Sequence, residues 1–539
     1  MNQVVNSSGR SPDRSGRPPS PRSGRPPDRA SGGVHRKYTS APHRSPATRF
    51  LWLLPALVVL PTLALLWRHP FDGLYGQDAY SYYRYATGPL RQQLLALQPP
   101  PPFFWPPGYP LLVALLSLLV GMTPAAGQAV SLAAGALVPL FTALLARELW
   151  PSRRWTPLLA GIFAAAMPQL WQSSAVVMSD TTGLAAATLG VWALARYGRR
   201  GGSRWLALAA AALAFAVLTR WALALVAVPS TAYALYMLAR QPRRAALYQA
   251  LLAALVVIFV LSPVISAAIA RTPTPGVEQT SFFGDLEVVS WHPLNALRNE
   301  FTTVDGQLRY RLPNGLYYAL APAHRYYFTP LLALLLLPGL WRVWKRRSPA
   351  RLLLLFGWAG VIYAGLVGTP YQSFRFTLGF LPPLAIIAAV GLVTLVRWLP
   401  GRVRWLPLLL AAAALLWMGY GGWTLTRSFI ERKEANLSTM RWVEAQTEAE
   451  ARLFTFGITL TFEQYSDLEV HDVFLLTPDE IAAMLRDGRP AYVLLDVDNV
   501  VQQWAERAPG GNYRWLEREK GLAPLGQHRH FSFFRVGGG

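Results

Sequence analysis

Eleven apolar stretches leave this chain few choices of fold. They lie at 50–67, 126–148, 156–173, 181–197, 204–219, 221–239, 245–269, 329–344, 351–368, 376–396 and 405–423. Several approach the roughly 20 apolar residues that a helix needs to cross hydrocarbon. In lipid every backbone N–H and C=O must find its partner within the protein, so such runs read as helices. Only 15% of the 539 residues are charged, against about 25% in a soluble domain. The expected fold is a multi-pass α-helical membrane bundle of about 11 spans with juxtamembrane helices.

The basic residues set the expected orientation. The formal net charge is +23, which in a soluble protein would suggest nucleic acid. Here the arginines sit in short linkers between apolar runs, as the positive-inside rule predicts, so no nucleic-acid partner is expected. The segment 107–121, PGYPLLVALLSLLVG, is short and opens with prolines; it reads as juxtamembrane or re-entrant. With it left out of the count, the linkers 147–154, 196–204, 240–244, 342–347 and 397–404 fall on one side. With it counted, most of them flip to the other. The expectation is a plasma-membrane protein with a cytoplasmic N-terminus. The loops 68–125 and 270–328, and everything after Arg427, then lie outside.

Three regions follow. Residues 1–49 are rich in Ser, Pro, Gly and Arg and cannot form a core, so a disordered basic tail is expected. Residues 50–427 form the transmembrane bundle. Residues 428–539 read as an extracytoplasmic α/β domain. AEARLFTFG, PAYVLLDVD and HFSFFRVG suggest short strands, and TPDEIAAMLRDG a helix with Thr477 as N-cap and Glu480 in the capping box. With no cysteine in the chain, neither a disulfide nor a thiolate metal site is available.

Acids are scarce enough in the bundle to be informative. From Phe50 to Gln128 there are two, Asp72 and Asp78. Asp72 reads as a linker charge. Asp78 lies among Tyr75, Tyr80, Tyr82, Tyr83 and Tyr85, and a carboxylate at the mouth of a membrane bundle is a candidate site. The plainer reading makes it the N-cap of a helix over 79–85. Between Gln128 and Ala270 only Glu148 and Asp180 occur. Glu148, beside Arg147, Arg153 and Arg154, reads as a solvated partner. Asp180 falls on the side of Asp78, either as a helix cap or as a second carboxylate that anchors substrate. A divalent cation held by Asp78 and Asp180 is the candidate cofactor. On the same side lie Arg84, Arg91, Arg220, Arg325 and Arg375, against the positive-inside trend. Guanidinium forks suit phosphate oxygens, although any one of them could instead snorkel to the head groups. The rigid aromatic run QPPPPFFWPPGY, 98–109, is an interfacial anchor or the wall of a lipid groove. No P-loop, GxGxxG before a helix, or HExxH is present.

These pieces together resemble a known family. Asp78 after the first span, with Tyr82 four positions on, is similar to the first-loop motif of membrane glycosyltransferases of the GT-C fold. The branch is that of protein O-mannosyltransferases and of the aminoarabinose transferases that modify lipid A (family 39 type). PPGYPLLVALLSLLVG at 106–121, LTRWALALVAVP at 218–229, RYYFTPLLALLLLPG at 325–339 and RFTLGFLPPLAIIAAVGL at 375–392 agree in order. The resemblance implies inverting transfer of a sugar from a polyprenyl-phosphate carrier to an acceptor lipid, glycan or protein on the outer face. Asp78 is then the expected base, and Asp180, Tyr82, Arg84, Arg220 and Arg375 the expected substrate-binding residues. Two positions depart from the pattern. Ala79 stands where many relatives have a second acid, and Trp105 where many have a basic residue before Pro-Pro. A transporter or flippase, and a polysaccharide ligase or polymerase of related architecture, are the alternatives.

Overall fold

A computed structural model of the protein describes residues 49–269, 291–448 and 450–537. The expected tail, up to residue 48, and the part of the long loop from 270 to 290, with Asp285 and Glu287, lie outside the described residues.

All eleven apolar runs are helical. Among the described residues seven helical segments are long and apolar enough to cross a membrane: Phe50–Arg68, Pro124–Leu149, Trp221–Leu238, Arg243–Ser266, Pro349–Val367, Phe374–Trp398 and Gly401–Glu444. Gly108–Val120, Thr156–Ala165 and Ser203–Thr219 are shorter apolar helices. The helices that position the site are α1 (Ala56–Arg68), α2 (Gln77–Thr87), α3 (Gly108–Val120), α4 (Pro124–Leu149), α5 (Thr156–Ala165), α6 (Pro168–Ala175), α7 (Asp180–Arg200) and α8 (Ser203–Thr219). After them come α9 (Ala224–Leu238), α10 (Arg243–Ile269), the hairpin β1 (Glu300–Thr303) and β2 (Gly306–Arg309), α11 (Leu336–Lys345), α12 (Trp358–Val367), α13 (Leu381–Trp398) and α14 (Leu406–Glu444).

The run expected to span at 156–173 is broken between α5 and α6. Pro168 disfavours helical backbone in the residue before it, and Met167 is extended, with ψ 121°. Small residues let the central helices close up. A Cβ at Gly339 or Gly391 would overlap the backbone carbonyls of Ile387 and Leu335, so α11 and α13 meet backbone to backbone.

α14 runs past residue 427 to Glu444 without a break. The sheet that follows is built from β3 (Arg452–Thr455), β4 (Glu469–Asp472), β5 (Ala491–Leu495), β6 (Leu522–His528) and β7 (Phe531–Val536) in the order β4-β3-β5-β7-β6. β3 is parallel to β4 and β5, whereas β7 is antiparallel to β5 and β6. β3 and β5 are buried along their whole lengths, as expected of central strands. The helix Pro478–Leu485 carries the expected capping box between Thr477 and Glu480. The β1–β2 hairpin docks on this domain: Gln307 N–H donates to the Gln503 carbonyl at 2.9 Å, and Arg507 Nη2 to the Thr303 carbonyl at 2.6 Å.

Glu148 departs from expectation. It is buried rather than solvated, and accepts from Arg196 (3.2 Å) and Arg199 (2.6 Å). A carboxylate this deep needs partners, and α7 supplies both.

Candidate active site

Asp78 lies in the first turn of α2, after Gly76, whose φ of +79° few other residues would tolerate. It makes no capping bond. Its Oδ2 is 2.8 Å from Nη2 of Arg375. Asp180 is the first residue of α7 and likewise does not cap it. Its side chain is only 3% exposed. Arg220 Nη1 donates to Oδ1, and Arg375 Nε lies 3.5 Å from Oδ2. That second approach is an ion pair without a hydrogen bond, for both atoms are buried and lack a hydrogen-bond partner. Charges therefore alternate as Arg220, Asp180, Arg375, Asp78. The ring of Phe376 sits 5.6 Å from both guanidinium carbons.

Local backbone explains each placement. The α8 helix stops at Thr219, Arg220 is extended (φ −156°, ψ 115°), and a short tight turn follows. Arg375 opens the tight helical turn Phe374–Phe380, where the Ser373 hydroxyl accepts from the Arg375 N–H. The loop before α2 is tied to the bundle by Val177 N–H to the Gly73 carbonyl (2.9 Å), and by Gln128, which donates to the carbonyls of Phe71 (3.2 Å) and Ala175 (2.8 Å).

Tyr82 is buried, and its hydroxyl is 3.0 Å from Ser179 Oγ, beside Asp180. Burial pushes its phenol pKa up, so it stays neutral. Phe103, Trp105 and Tyr109 pack around its ring at 5.9, 6.4 and 5.3 Å. The aromatic run 98–109 thus forms a wall behind α2. Arg84 does not join the arginine–aspartate row; it pairs with Glu463 of the C-terminal domain. Arg325 donates to the hydroxyl of its neighbour Tyr326 (3.0 Å).

A second network was not apparent in the sequence. Lys433 of α14, 5% exposed, donates to Asp72 and to the hydroxyl of Tyr465 (2.5 Å), and Tyr465 donates to Asp72. Tyr80 of α2 meets Thr461 at 3.3 Å. The helix that carries Asp78 is thereby held between the bundle and the C-terminal domain.

A cavity of about 180 Å³ opens beside Asp180, Arg220 and Arg375. Away from them it is walled by Leu184, Leu223, Leu225, Ile362, Leu366 and Leu378. One end is charged and the rest is mostly apolar, with Thr369 and Tyr371 also on the wall. The donor set does not suit a divalent cation. Both carboxylates already face guanidinium groups, and no group of three His, Asp or Glu side chains that could hold a metal occurs among the described residues.

Residues 105–266 match the family described as dolichyl-phosphate-mannose-protein mannosyltransferase. The fold is similar to that of ArnT from Cupriavidus metallidurans. With undecaprenyl phosphate bound, that structure matches at 15% identity and a TM-score of 0.59, over 91% of this chain and 98% of ArnT. Its apo state matches over the same shares at 15% identity and 0.60. The Archaeoglobus fulgidus oligosaccharyltransferase, in complex with Zn and sulfate, matches at 14% identity and 0.52, over 90% of this chain and 73% of that one. This chain has an ArnT-like membrane fold, of the GT-C type, and its family match is confined to residues 105–266. No curated protein sequence matches it significantly.

Proposed function

We propose that this chain is a glycosyltransferase that moves a sugar from a polyprenyl-phosphate carrier to an acceptor hydroxyl by one inverting displacement, with Asp78 as general base. The observation that carries the reading is Arg375, shared between Asp78 and Asp180 at the charged end of the cavity. A donor phosphate entering there meets Arg220 and Arg375, whose forks match its oxygens. The apolar wall accommodates the first units of the prenyl chain. The ArnT structure with undecaprenyl phosphate supports a carrier of this class.

Phosphate competes with Asp78 for Arg375, so donor binding frees the carboxylate that the reaction needs. The acceptor oxygen then attacks the anomeric carbon. The bond from that carbon to the phosphate oxygen breaks, its electron pair leaves on the phosphate, and the acceptor proton passes to Asp78. Arg220 and Arg375 stabilise the charge that develops on the leaving phosphate. Asp180 is a positioning residue that holds both guanidinium groups in line. No step is routed through a metal. The basic end of the bundle faces the cytoplasm, so the reaction takes place on the outer face, with a lipid, glycan or protein as acceptor.

The test is to incubate purified protein with a series of polyprenyl-phosphate monosaccharides and to follow polyprenyl phosphate release by mass spectrometry. Release should require an acceptor hydroxyl and should fall away in Asp78→Asn. Acceptor-dependent release at the wild-type rate in Asp78→Asn would sink the role of the base.

A further inference from the structure

A second charged constellation lies at the far end of the bundle. Arg375 and Arg397 stand near opposite ends of the helical segment Phe374–Trp398, some 20 residues and roughly 30 Å apart at the helical rise. Near Arg397 three helices, α4, α11 and α13, come to their C-terminal ends. Trp341 and Trp398 pack edge to face at 4.8 Å, which brings Arg342 and Arg397 to one place. Arg351 crosses to the end of α4: its Nε and Nη2 donate to the Leu149 carbonyl (3.2 and 2.8 Å), and it lies 4.7 Å over the Trp150 ring. Its Nη1 donates to the Arg346 carbonyl at 2.5 Å.

Arg153 sits in the turn after α4 and is only 8% exposed. Its Nη1 and the Nε of Arg342 are buried without a hydrogen-bond partner. The charged groups acting on Arg153 are Arg397, Arg342, Arg346 and Arg351. Burial first, and then these cations, push its pKa down to about 10. The sequence offers no relief, for residues 149–179 and 319–429 contain no acid. The nearest acid along the chain, Glu148, is taken by Arg196 and Arg199.

Cations at helix C-termini are ordinarily accounted for by the dipole, and Arg351 fits that description through Leu149. Arg153 and Arg342 do not, since their orphaned donors reach no carbonyl. Buried, mutually repelling guanidinium groups with donors to spare are completed by an anion that takes several of them at once.

We infer that Arg153, Arg342, Arg346, Arg351 and Arg397 form a binding site for a phosphate group, at the end of the bundle opposite Asp78 and independent of the transfer reaction. The phosphate is that of an anionic phospholipid head group or of a free phosphate ion. Basic pockets between membrane helices take anionic head groups in this way.

The test is native mass spectrometry of the full chain in neutral detergent, titrated with cardiolipin, phosphatidylglycerol or phosphatidylcholine, with inorganic phosphate as a separate arm. Wild type should retain the anionic lipids at least tenfold better than phosphatidylcholine. Arg153→Gln and Arg346→Gln should each cut that retention at least fivefold. Arg346 is exposed, so its variant keeps the test decisive if Arg153→Gln fails to fold. Saturable thermal stabilisation by inorganic phosphate alone, lost in Arg346→Gln, supports the same site with a soluble anion as its source. Equal retention of phosphatidylcholine and cardiolipin with no response to phosphate, or unchanged retention in the variants, overturns the inference.

Discussion

Arg375 Nη2 lies 2.8 Å from Asp78 Oδ2. The carboxylate proposed as base is therefore engaged by the cation proposed to receive the donor phosphate. In the proposed mechanism substrate binding and activation of the base are one event, whose parts substitutions can separate.

Asp78→Asn keeps the shape and most of the hydrogen bonding and removes the basic carboxylate. General-base catalysis contributes about 10²–10⁴-fold. Transfer should slow by at least about a hundredfold, with donor affinity retained. Single-turnover kinetics alongside donor binding would measure both, and a loss of less than about tenfold would move the base elsewhere.

Arg375→Ala should raise the donor KM at least about tenfold, equivalent to about 1.4 kcal/mol. It also leaves Asp180 with Arg220 as its remaining partner among the described residues. Arg375→Lys keeps the charge and loses the fork, so intermediate activity is expected. An unchanged donor KM in both Arg375→Ala and Arg220→Ala would place the phosphate site away from this cavity.

Chelation should leave turnover within about twofold, since the charge beside the leaving group is supplied by guanidinium. Activity that collapses in chelator and returns with a divalent ion would show that a cation displaces Arg375 from the carboxylates.

Lys433→Met leaves Asp72 and Tyr465 without their cation. Breaking a buried ion pair by removing one partner costs about 3–5 kcal/mol. Asp72 is a third exposed, so the lower end or less is expected. A double-mutant cycle with Asp72→Asn should give a coupling of about 0.5–3 kcal/mol. Additive losses in melting temperature would show that the two residues act independently.

The C-terminal sheet has its own pH signature. Hydrogen bonding from His471, then from Arg452 and Arg489, draws the Glu469 carboxyl from 4.5 down to about 2. A depressed acid contributes stability above its unfolded pKa and loses it as pH falls through the folded one. The gap in melting temperature between wild type and Glu469→Gln should be present just above pH 4.5 and close between pH 4.5 and 2. A gap that does not change over that range would rule the linkage out.

Much of this could be read from residues alone, for identifiable reasons. Hydrocarbon forces long apolar runs to be helical, and each of the eleven is. Acids are so rare in the bundle that Asp78 and Asp180 stood out, as did Arg220 and Arg375 on the side expected to be poor in cations. The sequence did not reveal that the four join, because charge alternation across four elements leaves no trace in any one of them. Lys433 sits in the run ERKEA, where nothing marks one charge as buried. Asp72 read as a linker charge for the same reason, and Arg84 as a phosphate ligand because its partner Glu463 lies in another domain. β4 was missed because EVHD is a charged edge strand, kept in place by Arg452 reaching Glu469 at 3.0 Å. β6 was missed because it is mostly exposed and bulged between Pro524 and Gly526, as edges commonly are.

The clamp on α2 also sets a timetable. Asp72 waits for Lys433, 361 residues further along the chain, and for Tyr465, 393 residues along; Arg84 waits 379 residues for Glu463. At about 5–20 residues per second of synthesis, that is roughly 20–80 s during which the first loop has emerged and its far partners do not yet exist. A nascent chain therefore exposes Asp78 long before the partners of its helix exist, and the proposed site is secured last, with the C-terminal sheet.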